Sequence, residues 1–174
     1  MLNEQFLCFF LRYGNPEMIE EKNKQFSTEV MSHISGQFLD TFVKIVRATK
    51  TNYISSKCLN LAVKYINHST RVRHLAQLLQ PHMEDLLQNY MVPLTFFTKE
   101  DEELWQDNPN EFIRRQHEFF DGHYLPKNAA IDTIVSLCSY RSNPKSEKPD
   151  LLESFLGFCN FHLQQYSELV AANP

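Results

Sequence analysis

The chain has 174 residues, 43% of them hydrophobic and 22% charged, enough apolar material for a buried core and too much for a disordered polymer. Seventeen lysines and arginines stand against 21 aspartates and glutamates, and a net charge of −4 without a strongly basic run argues against direct binding of DNA or RNA. Four scattered glycines (Gly14, Gly36, Gly122, Gly157) leave no cluster for a phosphate-cradling loop and few turns for a β-sheet protein, and no run approaches the roughly 18 apolar residues that span a membrane.

Taken in chain order, the apolar residues recur at three and four rather than alternating, the mark of an all-helical chain. Leu2 to Tyr13 reads as a helix stopped by Gly14 and Asn15-Pro16. From Lys22 to Lys50 the stripe Phe26, Val30, Ile34, Phe38, Phe42 and Ile45 predicts one long helix with Gly36 as a weak point. Ile54, Cys58, Leu61, Ala62, Tyr65 and Ile66 form the next face, with Lys57, Asn60 and Lys64 outside it. A polar connection from Ser69 to Arg73 and a short helical turn at Leu75 to Leu79 follow. Pro81 then opens a helix carrying Met83, Leu86, Leu87, Tyr90, Leu94 and Phe97, which Pro93 kinks.

An acidic segment, 98–115, interrupts this rhythm. Beyond it come a helix after Pro126 (Ala130, Ile131, Ile134, Val135, Cys138), a polar link from Arg141 to Lys148, and a last helix from Pro149 (Leu152, Phe155, Leu156, Cys159, Leu163, Tyr166, Val170). Antiparallel helix pairs repeated about every 40 to 47 residues are the grammar of a HEAT or armadillo solenoid, although a closed bundle uses the same stripes. Apolar helices at both ends, without a polar capping repeat, favour the solenoid.

Chemistry-bearing residues are few. Cys8, Cys58, Cys138 and Cys159 lie far apart, with no CxxC pair and no secretory leader ahead of them, and read as mostly buried free thiols of a reducing compartment. The glycosylation sequon Asn67-His68-Ser69 means little without such a leader. Of seven histidines, His162 shares a helix face with Cys159, but zinc needs a further ligand and none stands at suitable spacing. His117 and His123, flanking Glu118, Asp121 and Gly122, resemble a polar turn. No nucleophile or metalloprotease motif is present, so the reading is of a binding protein rather than an enzyme, with neither metal nor cofactor.

The strongest local feature is the acidic segment, which holds Glu100, Asp101, Glu102, Glu103, Asp107 and Glu111 with no base between Lys99 and Arg114. Thr98 and Asp101 are placed for a capping box, and Asn108-Pro109 starts a second short helix in which Glu111 can reach Arg114 or Arg115. Capping does not account for four successive like charges at Glu100 to Glu103, which repel unless a cation is near. Trp105, the single tryptophan, stands beside them, either as part of a surface for a basic, partly apolar partner or as a pin for its own helix. The candidate partner-binding residues are therefore Glu100, Asp101, Glu102, Glu103, Trp105 and Asp107.

The run Asp101-Glu102-Glu103-Leu104-Trp105-Gln106-Asp107-Asn108-Pro109-Asn110-Glu111-Phe112-Ile113-Arg114 resembles the DEELWxxDPxEYIR signature of the importin-beta superfamily, in its importin seven and importin eight branch. Arg12-Tyr13-Gly14-Asn15-Pro16 is similar to the family's ERYGSP, Leu61 to Asn67 to its helix ending NYIN, Gln80-Pro81-His82 to KPHI, Pro93-Leu94 to FPL, and Leu156-Gly157-Phe158-Cys159 to MGFC, so the likeness covers nearly the whole chain. Asn108 before the proline, Phe112 for tyrosine and the polar stretch Ser142 to Lys148 depart from it mildly. The exporter branch that recycles importin-alpha carries a similar acidic pattern without the Leu-Trp pair.

The resemblance implies a HEAT-repeat superhelix, here about four repeats in one array from 1 to 174 with an acidic insertion at 98–115. It implies a nuclear import receptor shuttling between nucleus and cytoplasm, regulated by Ran GTPase, with basic protein cargo, phenylalanine-glycine nucleoporins and a second importin as partners, and neither nucleic-acid binding nor membrane insertion. An importin-alpha exporter or a generic HEAT scaffold is the alternative. Family members are several times longer, so an internal fragment or truncated gene model is expected.

Overall fold

In a computed structural model of the protein, the described residues are 34–117, 125–143 and 145–172, together with 23–25 and 29. The expected opening helix and its stop at Gly14 to Pro16 lie outside them, as do Phe26, Val30, His33, Cys8 and the turn from Glu118 to His123. Every regular element among the described residues is a helix.

α1 runs Ser35–Ala48. Gly36, expected as a mid-helix weak point, sits in its first turn, where an added Cβ would lie 3.3 Å from Leu78 Cδ1. The buried face is Leu39, Val43 and Val46, while Phe38, Phe42 and Ile45 are half-buried and Ile34 is exposed. The expected stripe is thus turned by one residue, about 100°. The cause is a second neighbour: α1 packs on both α2 (Ser56–Ser69) and α3 (Arg73–Leu79), so its apolar surface is wider than one stripe.

α2 starts at the N-cap Ser55, whose hydroxyl accepts from the Cys58 N–H at 3.4 Å. Lodged between α1 and α8 (Pro126–Ser139), it is buried on nearly every side, through Leu59, Leu61, Ala62, Val63, Tyr65 and Ile66. Asn60, expected outside the apolar face, is only 1% exposed and donates through Nδ2 to the Leu125 carbonyl at 2.9 Å. That bond holds the residue preceding α8 against α2, at the point where the chain returns from the acidic segment. Tyr65 stacks at a tilt on Phe42, 4.8 Å between centroids, and its hydroxyl donates to the Ser35 carbonyl at 2.9 Å. Burial pushes its phenol pKa up, so the donor stays protonated.

The stretch 80–94 is one irregular helical rod: a 3-10 turn Gln80–His82, α4 (Met83–Leu86), a π-helical turn Leu87–Met91, and α5 (Val92–Leu94). Pro93 has no N–H to give and its ring crowds the carbonyl four residues back, and the wider π turn lies where that conflict falls. The rod ends at Leu94, so Phe97, expected within it, stands on the exposed connection beyond. Arg47 of α1 reaches the rod, donating to Asp85 at 2.8 Å. Partial burial pushes Asp85 upward, but hydrogen bonds from Arg47 and Asn89 and the charges of Arg47 and Lys50 outweigh it, so its pKa lies below the usual carboxylate value.

Pro126 occupies the first turn of α8, where its missing N–H costs nothing. Ala129, Ala130, Thr133 and Leu137 are buried, whereas Ile131 and Val135, expected in the core stripe, are exposed. Small residues let α8 approach α2 closely, and that choice of face turns the β-branched pair outward. α9 spans Leu152–Ala172. Leu151 and Phe155 pack on the core and Ser154 donates to Glu84 on the rod, but from Phe161 to Ala171 every residue is exposed. Leu163, Tyr166 and Val170, which the spacing assigns to an apolar face, are among them.

One core joins these elements: α1 pairs with α2, the rod 80–94 pairs with α8, and α2 lies against α8 across the two pairs. This is a HEAT-repeat solenoid, in which each pair completes its burial only against the next. The acidic hairpin, α6 (Lys99–Asp107) and α7 (Pro109–His117), lies in the chain between the two helices of the second pair.

Candidate functional site: an acidic hairpin and two recesses

The hairpin is built from local rules. Thr98 Oγ1 accepts from the Asp101 N–H at 3.1 Å and the Asp101 carboxylate accepts from the Thr98 N–H at 3.0 Å, a reciprocal capping box. Asn108 ends α6 and starts α7 by accepting from the Glu111 N–H at 3.1 Å. Glu111 then takes a two-pronged bond from Arg114, 2.7 and 2.8 Å. Two of the six carboxylates are therefore committed to the hairpin itself.

The other four are not. Glu100, Glu102, Glu103 and Asp107 are exposed, and none makes an ion pair or hydrogen bond among the described residues. Glu100, Glu103 and Asp107, three and four apart, share one face of α6, and Glu102 stands one turn before Trp105. The helix dipole rewards an acid at Glu100 or Glu102, in the first turn, but Asp107 sits in the last turn where it is disfavoured, with no basic residue there to offset it. Acid beyond what folding uses is thus displayed on one side of α6.

Trp105 is 48% exposed and meets Phe112 edge to face, ring centroids 5.5 Å apart, and Phe97 also meets Phe112 edge-on at 5.6 Å. The tryptophan therefore pins α6 to α7 and stays half exposed on the side of the helix that carries Glu102. Of the six candidates from the sequence, Asp101 is drawn into the cap, and the remaining five stay on the surface together.

Two recesses escaped sequence reasoning. An apolar groove of about 920 Å³ runs between Lys50 at the end of α1, Tyr90, Pro93 and Phe96 on or after the rod, and Phe158 and Leu163 on α9. Lys50 Nζ lies 4.6 Å from the Tyr90 ring centre. His162, paired with Cys159 as a possible ligand set, packs edge-on against Phe158 at 4.4 Å, and no group of three metal-ligating side chains occurs among the described residues. Cys58, Cys138 and Cys159 are free and half-buried rather than buried, and burial, then the neighbouring Cys159, pushes the Cys138 thiol pKa up. The second recess, of about 560 Å³, lies where α2, α3 and the end of α8 meet, and is polar. Thr70, Arg71, Arg73, Arg141 and Ser142 of its lining come from two polar links that look like mere connections in the sequence, and the rest from α3 and the end of α8.

Comparison with known proteins places this arrangement. The family described as Cse1 matches residues 15–171. An importin beta-like SAD2 homolog of Arabidopsis thaliana is 25% identical over 94% of this chain and 15% of that protein. Human importin-8 is 23% identical over 86% of the chain and 14% of its own length. The yeast protein called nonsense-mediated mRNA decay protein 5 is 26% identical over 66% of the chain and 12% of its length. The chain thus spans about one seventh of the length of the first two of these relatives. No solved structure matches significantly.

Proposed function

The chain belongs to the Cse1 family, within the importin-beta superfamily, and from that premise we propose that it forms part of a nuclear transport receptor, a longer HEAT solenoid that carries protein cargo between cytoplasm and nucleus. The observation that carries this reading to particular residues is the acidic hairpin. On one short helix, Glu102 stands one turn before the half-exposed Trp105 while Glu100, Glu103 and Asp107 line another face, the chemistry that suits a basic, partly apolar protein surface. In this reading 98–115 is an insertion in the helical array, facing basic cargo or the basic face of Ran. Paired charges there raise the association rate and select basic partners more than they supply affinity.

Other roles attach to other surfaces. The exposed side of α9, with Leu163, Tyr166 and Val170, is the face on which a following repeat would stack, because a solenoid unit buries its apolar side only against neighbours. The groove lined by Tyr90, Pro93, Phe96 and Phe158 has the aromatic lining that accepts a phenylalanine of a nucleoporin repeat. Binding rather than catalysis is the activity.

The test is pull-down of cargo by the full-length receptor with Ran loaded with GTP or GDP. Release of cargo by the GTP form supports import, and tighter cargo binding with it supports the exporter reading. Partner binding indifferent to Ran in either form would leave only a HEAT scaffold.

A further inference from the structure

The polar recess at the junction of α2, α3 and α8 is not part of the acidic hairpin, and its lining has the opposite sign. Arg71 and Arg73 flank the turn from α2 into α3, Arg141 follows α8, and all three guanidinium-bearing residues are exposed at the rim of the same cavity. No carboxylate lines it. None of the three guanidinium groups forms an ion pair or hydrogen bond among the described residues. In a chain of net charge −4, three uncommitted arginines from chain positions on either side of the acidic hairpin converge on one hollow.

Helix ends and a nearby carboxylate offset part of this charge. Arg71 and Arg141 follow the C-terminal ends of α2 and α8, where each helix presents roughly half a negative charge, about one charge between the two. Asp150 is also close enough to push up the Tyr140 phenol, after burial, although its carboxylate is engaged by the Ser142 N–H at 3.0 Å. Three positive charges against those contributions leave a surplus of about one. Helix ends and Asp150 therefore do not use up the arginines.

We propose that this recess is an anion site for a phosphorylated serine or threonine on a partner protein. Each guanidinium is permanently charged and offers five N–H donors in a planar fork, more than a single carboxylate can accept. A phosphomonoester has three acceptor oxygens and nearly two negative charges near neutral pH, which matches convergent arginines. The Ser139 and Tyr140 hydroxyls supply further donors, and the buried Ala76 gives an apolar wall for the methylene that carries the phosphate. The volume holds a side chain with its flanking backbone. A nucleic acid would need a basic stripe to follow its backbone, and the charge here is confined to one hollow on an acidic chain. The proposal does not depend on the transport reading.

The experiment uses the 174-residue chain and a short fluorescein-labelled peptide carrying one phosphoserine, with its unphosphorylated twin, inorganic phosphate as competitor, and phosphatidylserine vesicles as a separate arm. The expected result is saturable binding of the phosphopeptide alone, competed by phosphate and weakened at least tenfold by Arg71→Ala combined with Arg141→Ala. Arg73→Lys, which keeps the charge but removes the fork, gives a smaller loss. The arginines are exposed, so circular dichroism stays unchanged. Equal binding of both peptides, indifference to the substitutions, or tighter binding to vesicles than to the phosphopeptide would overturn it.

Discussion

Replacing Thr98 with alanine removes one half of the capping box and tests whether α6 is held by local bonds. Thr98 and Asp101 satisfy each other's backbone N–H groups at 3.1 and 3.0 Å, and α6 has no fully buried residue. A nine-residue helix is below the length that is stable alone, so α6 rests on its cap, the dipole contribution of its first-turn acids and its contact with α7. Loss of an N-cap threonine costs about 1 kcal/mol, and a change of that size multiplies a local opening constant about fivefold. Amide hydrogen exchange over 98–117 should therefore be about fivefold faster, with exchange in α2 and the global melting temperature nearly unchanged. A second variant, Asp101→Asn, keeps an acceptor but loses the charge, and falls between wild type and Thr98→Ala. Unchanged exchange in the hairpin, or a fall of several degrees in melting temperature, would refute the claim that α6 is locally held and energetically separate from the core.

Three further predictions concern the solenoid. Leu86, fully buried at the centre of the rod, costs roughly 2–5 kcal/mol on truncation to alanine, read as a lower urea midpoint with unchanged slope. Asn60→Ala leaves the Leu125 carbonyl without its donor but also removes a buried amide oxygen that has no partner among the described residues, for a net cost of about 1 kcal/mol. Asn60→Asp puts a carboxylate in the same place and costs several times as much, and equal losses for the two would show that the site is not closed to water. Burial, then the charge of Arg71, holds the His68 imidazole below its ordinary value. The neutral ring is the form the fold accommodates, so stability is full above about pH 6.5 and declines as pH falls from there through the lowered folded value. Urea unfolding of wild type and His68→Gln at pH values on either side of 6.5 isolates this, and a wild-type curve parallel to the variant's would contradict it.

The hairpin was legible in the sequence because its geometry is local: Thr98 to Asp101 and Asn108 to Glu111 are three-residue relations that propensity rules describe without reference to the fold. Pro126 marked the start of α8 for the same reason, whereas α2, expected to begin after Asn52, starts at the Ser55 cap three residues on. Choices of face were less legible. In α1 the stripe was off by one residue because two neighbours share the helix, and in α8 the alanines rather than Ile131 and Val135 face inward because α2 comes close. Asn60 was misplaced for a related reason: a polar residue enters a core when one specific partner, here a backbone carbonyl 65 residues on, meets it there. The exposed apolar face of α9 runs against the usual reading of a 3.6-residue period, which tells where a helix can be buried and not which molecule or repeat covers it. The arginine recess had no sequence signal at all, since Arg71, Arg73 and Arg141 converge only through the contact of α2 with α8.

The claim that the hairpin is a surface for basic partners is tested most directly by association kinetics. Glu102→Lys combined with Glu103→Lys reverses two exposed charges without touching the capping box or the Glu111 pair with Arg114. Stopped-flow binding of a lysine-rich cargo peptide at low and moderate ionic strength should show an association rate reduced on the order of tenfold at low salt, with the difference shrinking as salt rises and dissociation changing less. Rates equal to wild type at both ionic strengths would contradict the account and return the acidic segment to a purely structural role.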